Sequence, residues 1–201
     1  MAVEKTTRTY RMSRRAEAME DTRRRLTETI VQLHESIGPA RTTIAAIAEL
    51  AGVQRHTVYR YFPTEDDQIA ACSAHFWTDH PWPSLDSWAA VAEPADRLAR
   101  ALRELYRFYS GVEPMLVNCL RDAVEMPSVE RALAGLGEFL DSATKILSAG
   151  WAPERGRRKF LVAAIRHALA FGTWRSLARD SGLSGTDAAR LMSSFVEAAQ
   201  R

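Results

Sequence analysis

The sequence predicts an all-α protein, a small N-terminal unit of three helices followed by a larger helical body, and three observations lead there. Apolar residues recur at three- and four-residue spacing; no stretch alternates as a half-buried strand does; and glycine or proline punctuates the periodic segments. Among 201 residues, 46% are hydrophobic and 26% charged, an ordinary globular balance with enough chain for one large or two small cores. The first residues lack the apolar core of a secretory signal and no apolar run matches a bilayer span, so no membrane partner and a cytoplasmic location are expected. Cys72 and Cys119 stand far apart without metal spacing and read as reduced, buried or partly buried residues. The formal charge of +2 matters only through its distribution, and the basic residues gather at the N-terminus.

The elements follow in order. Residues 1–14 read as a flexible basic arm, with Lys5, Arg8 and Arg11 among threonines and too few apolar residues to pack. Such an arm either reaches a minor groove or phosphates, or is a solvated tail. The first helix is predicted from about Arg15 to Ile37, with Leu26, Ile30, Leu33 and Ile37 on one stripe, and Gly38-Pro39 ends it. Arg23, Arg24 and Arg25 flank that stripe, where a solvated charge run is the common explanation and backbone contact with nucleic acid the alternative.

From Thr42 to Phe62 two short helices meet at a tight turn. Ile44, Ile47, Ala48 and Ala51 make the apolar stripe of the first, with Thr43 as its cap and Thr42 just outside. Gly52 supplies the left-handed residue that ends it. In the second, Val58 and Phe62 share the inner face, whereas Arg55, His56, Thr57, Tyr59 and Arg60 belong to the outer side, and Pro63 stops it. A short helix that presents arginine, histidine, threonine and tyrosine outward suits the major groove of DNA: this is a helix-turn-helix.

Over Thr22 to Ala71 the chain resembles the DNA-binding region of the TetR family of transcriptional regulators. The likeness rests on Arg24 to Leu33, on Gly38-Pro39-Ala40-Arg41-Thr42-Thr43-Ile44, on Ile47-Ala48 with Ala51-Gly52-Val53, and on Thr57-Val58-Tyr59-Arg60-Tyr61-Phe62-Pro63. It implies a DNA-binding domain over residues 15–63 and a ligand-binding and dimerisation domain over residues 64–201. The DNA-contacting residues would be Thr42, Thr43, Arg55, His56, Thr57, Tyr59, Arg60 and Tyr61, on double-stranded DNA. Three positions depart from the family pattern. Glu65 stands where a phosphate-binding lysine is common, Gln54 where a short capping residue is usual, and His56 where glycine or alanine is frequent. His34 replaces a frequent phenylalanine and reads as a half-buried packing residue.

Thr64 caps a fourth helix with Glu65, Asp66 and Asp67 in its first turn, which continues to about Asp79. Further helices are expected from Pro94 to near Gly111, around Met115 to Ala123, from Pro127 to Leu147, from Phe160 to Ala178 and from Thr186 to Ala199. The basic cluster Arg155, Arg157, Arg158 and Lys159 reads as solvated. The last two helices carry more apolar surface than one monomer core needs, and the resemblance implies a homodimer through them. Two-fold symmetry would then set the recognition helices about 34 to 36 Å apart, or a multiple of that, on a near-palindromic operator. Trp77, Trp82, Trp88, Tyr106, Tyr109, Met115, Asn118, Cys119 and Phe139 are either plain core or the lining of a pocket for an unknown small-molecule effector.

No cofactor or metal is expected. His75 and Asp79 share a helix face beside His80, but two ligands rarely hold a zinc ion. No phosphate loop, serine elbow or His-Glu-x-x-His pair is present, which argues against an enzyme. The leading expectation is a regulator, most simply a repressor released by a small apolar or amphipathic ligand. The alternative is a helical ligand-binding or interaction module that has lost DNA binding, which Glu65 and Gln54 favour.

Overall fold

No glycine or proline precedes Gly38, and the first helix, α1, runs unbroken over Ala2–Ser36, upstream of the expected start at Arg15. The computed structural model describes the backbone of residues 2–201 and the side chains of residue 14 and residues 16–201. The side chains of the basic arm, and any contact they make, lie outside the described residues. The remaining helices are α2 (Ile44–Leu50), α3 (Arg55–Tyr61), α4 (Glu65–Asp79), α5 (Leu85–Ala89), α6 (Pro94–Asp122), α7 (Pro127–Leu147), α8 (Arg158–Leu169), α9 (Phe171–Arg175) and α10 (Gly185–Ala198). A 3₁₀ turn occupies Pro39–Arg41 and a π turn Ser176–Asp180; among the described residues there is no strand.

The chain divides into two units, one of residues 1–79 and 114–132, the other of residues 80–113 and 133–201. In the first, Leu26, Ile30, Ile47, Val58, Phe62 and Leu116 are fully buried. Each side chain of this size contributes about 1.5 to 3 kcal/mol on leaving water. In the second, the core is Trp88, Leu98, Leu102, Leu105, Tyr109, Leu147, Leu161, Ile165, Trp174 and Val196.

Two further departures from the periodicity reading lie in the later helices. Gly111 and Pro114 do not end the helix begun at Pro94: α6 passes through both to Asp122. Leu105, Tyr109, Val112 and Leu116 are all buried along it, so its apolar stripe continues across the breakers, and packing outweighs local propensity. Conversely, the single helix expected from Phe160 to Ala178 is broken at Ala170, whose backbone is extended (φ −67°, ψ 134°). The break leaves carbonyls without helical partners, and two tyrosines supply donors. The Tyr106 hydroxyl donates to the Ala168 carbonyl at 2.8 Å and the Tyr109 hydroxyl to that of Leu169 at 2.7 Å. Burial pushes both phenols above their ordinary pKa, so they stay protonated as donors.

Among the described residues no helix is long and apolar enough to cross a membrane, and no group of three or more histidine, cysteine, aspartate or glutamate side chains can hold a metal ion. His75 and Asp79 pair within α4 at 3.7 Å.

Candidate nucleic-acid interface

Thr43 begins α2 with extended backbone, and its hydroxyl accepts the Ala46 amide at 3.1 Å, which satisfies one orphan donor of the first turn. The helix closes at Gly52, where φ is +66°, and the chain turns back as the Val53 amide donates to the Ala48 carbonyl at 2.9 Å. Helix α3 starts after Gln54, which makes no side-chain cap, as its departure from the short capping residues suggested.

The two faces of α3 are opposite in character. Val58 and the following Phe62 are fully buried, and Arg23 of α1 lays its guanidinium 5.1 Å from the Phe62 ring centre. Arg55, His56, Tyr59 and Arg60 are exposed, Tyr59 to 54%, and Thr57 and Tyr61 are half-buried. Arg60 sits 5.1 Å from the Tyr61 ring centre. The outer edge therefore offers two guanidinium forks, an imidazole, hydroxyls and phenols, the donor set that meets guanine edges and phosphates. At the entrance to α2 Thr42 is half-buried and donates its hydroxyl to the Gly38 carbonyl at 2.9 Å, and Thr43 is exposed.

Side chains distant in sequence position this motif. The amide of Asn118 donates to the carbonyls of His34 and Glu35 at 2.9 and 2.8 Å, and Arg121 donates to the Ile37 carbonyl at 3.0 Å. These are orphan acceptors at the end of α1. Asp122 accepts the Ala40 amide at 3.0 Å and Arg121 at 2.6 Å. Burial opposes the charge on Asp122, but the hydrogen bonds from Arg121 and Ala40 outweigh it and hold the carboxyl below its ordinary value. Gly38 (φ +93°) makes this approach possible, since a Cβ there would stand 2.1 Å from Arg121 Nη2 and 2.6 Å from Asp122 Oδ2.

Below the motif His34 is buried rather than half-buried, with Nδ1 3.2 Å from the Cys72 Sγ. Burial lowers its pKa to about 4 against a weaker upward pull from Asp122, and burial raises the Cys72 thiol, so both are neutral at pH 7. The Cys119 thiol rises to about 11 for the same reason; both cysteines are free, Cys72 buried and Cys119 partly so. Glu65 also has a partner, accepting the Ser128 hydroxyl, while Arg131 grips both oxygens of Asp66 at 2.7 and 2.8 Å. The first turn of α4 thus holds the start of α7. On α1, Arg24 is paired with Asp21 and Glu28, and the Asp21 hydrogen bond leads in raising its pKa.

The nine residues considered for an effector pocket fall in different units. Trp77, Met115, Asn118 and Cys119 belong to the first and Trp82, Trp88, Tyr106, Tyr109 and Phe139 to the second. Trp77 packs edge-on to Phe76 at 5.0 Å, Met115 is buried, and Asn118 serves the end of α1. Trp82 lies against Phe108 and Phe139 at 5.2 and 5.1 Å, Phe139 against Trp88 at 5.9 Å, and Tyr106 lines a cleft beside Trp174. Sequence reasoning missed Arg121, Asp122, Ser128 and Arg131, whose roles depend on contacts more than 60 residues away. A polar run at a helix end was their only local signal.

Residues 26–72 match the family model for bacterial regulatory proteins of the tetR family. No curated protein matches the sequence. Among solved structures, the chain is similar to a TetR-like transcriptional regulator from Rhodococcus (TM-score 0.62, 16% identity, 88% of this chain and 93% of that one). It is also similar to a TetR-family regulator from Streptomyces coelicolor (0.60, 19%, 90% and 80%) and to one from Haloarcula marismortui (0.56, 17%, 90% and 97%). At these identities the likeness establishes the fold.

Proposed function

With the N-terminal domain of the TetR family on residues 26–72 and the all-helical fold of TetR-type regulators as premise, we propose that this protein is a DNA-binding transcriptional regulator, a repressor released from a near-palindromic operator by a small ligand. One observation carries the reading: α3 keeps Val58 buried while Arg55, His56, Tyr59 and Arg60 remain exposed along a short helix. In the complex, Arg55 reads a guanine edge, His56 and Thr57 approach bases, and Thr42, Thr43, Tyr59, Arg60 and Tyr61 hold the sugar-phosphate backbone.

A homodimer through the last two long helices supplies the second recognition helix. Phe160, Leu191 and Phe195 support it, each close to half exposed, with an apolar cleft of about 450 Å³ between α8 and α10. The ligand acts by favouring the conformation in which the two α3 helices are wrongly spaced, since only differential affinity shifts such an equilibrium. The Glu65 carboxylate leaves the usual lysine contact with phosphate absent, and its bond to Ser128 gives it a structural task instead.

Fragments selected from genomic DNA by the full-length protein supply the operator, and Arg55→Ala on that operator is the test. The expected loss is about 1 to 3 kcal/mol with relaxed preference at one base position. Uniform weakening reassigns Arg55 to phosphate, and failure to retain any fragment against competitor DNA supports an interaction module in place of a regulator.

A further inference from the structure

In the unit of residues 80–113 and 133–201, a cleft of about 400 Å³ lies between α6, the π turn and the start of α10. Arg103, Arg107 and Ser110 reach it from α6 at i, i+4 and i+7, Arg179 from the π turn, and Ser184, Gly185 and Thr186 from the head of α10. Trp174 and Tyr106, both buried, form its floor.

Three features of the cleft call for a negatively charged guest. The first is unbalanced charge. Glu113 is shared by Arg175 and Arg179, and Glu104, which feels the charge of Arg107, already accepts from Arg100 and Trp88. Asp187 is held by Ser184 and Arg190, and Arg103 has no ion-pair partner among the described residues. Like charges at i, i+4 oppose helix formation, so Arg103 and Arg107 side by side are a cost to α6 that a bound anion removes.

The second feature is backbone geometry. A π turn widens the helix at Ser176–Asp180 and carries Arg179 to the cleft, its guanidinium 5.5 Å from the Trp174 ring centre; such turns are frequent at functional sites. The third is donor supply. The Ser184 hydroxyl caps the Asp187 amide, but the Gly185 and Thr186 amides have no acceptor among the described residues, and a Cβ built on Gly185 meets open space.

We propose that this cleft is a binding site for a small organic anion, which presents a phosphate or carboxylate group to Arg103, Arg107 and Arg179 and rests its body over the Tyr106 and Trp174 floor. Guanidinium forks recognise either oxyanion in two-pronged fashion, and the cleft has room for a small metabolite. The site makes no use of α3, so its occupancy stands or falls apart from DNA binding.

Calorimetric titration of the full chain without DNA, using inorganic pyrophosphate and citrate at constant ionic strength, tests it. The expected result is saturable binding of at least one probe at one site per chain, the better probe identifying phosphate or carboxylate as the preferred group. The double variant Arg103→Gln/Arg107→Gln should weaken that binding at least tenfold, and Arg166→Gln, a paired surface arginine elsewhere in the same unit, should leave it unchanged. Thermal unfolding of each variant checks that it is folded; the altered side chains are exposed. Absence of saturable heat with both probes at millimolar concentration, or equal affinity in the double variant, overturns the proposal.

Discussion

The unit of residues 1–79 and 114–132 and the unit of residues 80–113 and 133–201 are stabilised in different ways. In the former, small apolar cores are pinned at their margins by polar side chains on backbone groups: Asn118 and Arg121 on the end of α1, Asp122 on the Ala40 amide, Ser128 on Glu65. In the latter, Tyr106 and Tyr109 also bond to backbone carbonyls, but the bulk of the centre is a set of packed rings. Trp82, Phe108, Phe139 and Trp88 are joined through the Phe108–Tyr109 contact to Tyr109, Phe171 and Trp174, with ring centres 5.1 to 6.0 Å apart. Directional bonds fix the geometry of a short motif, whereas rings fill volume and tolerate repacking more readily. On the proposed function, presenting α3 at a defined angle gains from the first arrangement, and accommodating a guest would gain from the second.

The largest effect that tests this contrast is expected at Trp88, which is fully buried and donates its indole N–H to Glu104 at 2.7 Å. Trp88→Ala should cost about 3 to 5 kcal/mol in denaturant unfolding. A small cost would show that the ring cluster is not what holds the second unit.

Acid should act on the other unit. His34 has a pKa of about 4 when folded against 6.5 unfolded, so the unfolded chain binds the extra proton between those values. That stability is complete above pH 6.5 and is lost as pH falls toward 4, by on the order of 3 kcal/mol. In His34→Phe this component of the acid dependence should vanish, which midpoints measured across pH 4 to 7 in both proteins would reveal.

Asp122→Asn should be smaller, about 1 to 3 kcal/mol, because a buried acceptor of Arg121 and the Ala40 amide is weakened while the fold around it stays. Its sharper consequence is for DNA: affinity should fall while the helical circular dichroism is retained, if the bond to Ala40 sets the entry to α2. Smallest of all, Arg131→Ala removes an ion pair whose side chains are both more than 60% exposed, and the change should not exceed about 1 kcal/mol.

The same contrast explains what the sequence disclosed. Helices α2 and α3 were legible to within a residue at their ends, because Thr43, Gly52 and Pro63 mark their limits by local chemistry and Val58 by spacing. The outward edge of α3 followed from that spacing alone. Continuity of α6 through Pro114 was not legible, since it depends on an apolar stripe satisfied elsewhere in the fold. Nor was the break at Ala170, which needs Tyr106 and Tyr109 from about 60 residues away to cover its carbonyls. Asn118 shows the limit most plainly: its place among residues considered for a pocket gave no hint that its amide closes the end of α1.

The discontinuity of the first unit also has a bearing on synthesis. At roughly 5 to 20 residues per second, the ribosome has finished α2 and α3 for several seconds before residues 114–132 emerge. Until then the carbonyls at the end of α1 and the Ala40 amide wait without their partners, so a nascent or truncated headpiece ending near Asp79 lacks the bonds that fix the entry to α2.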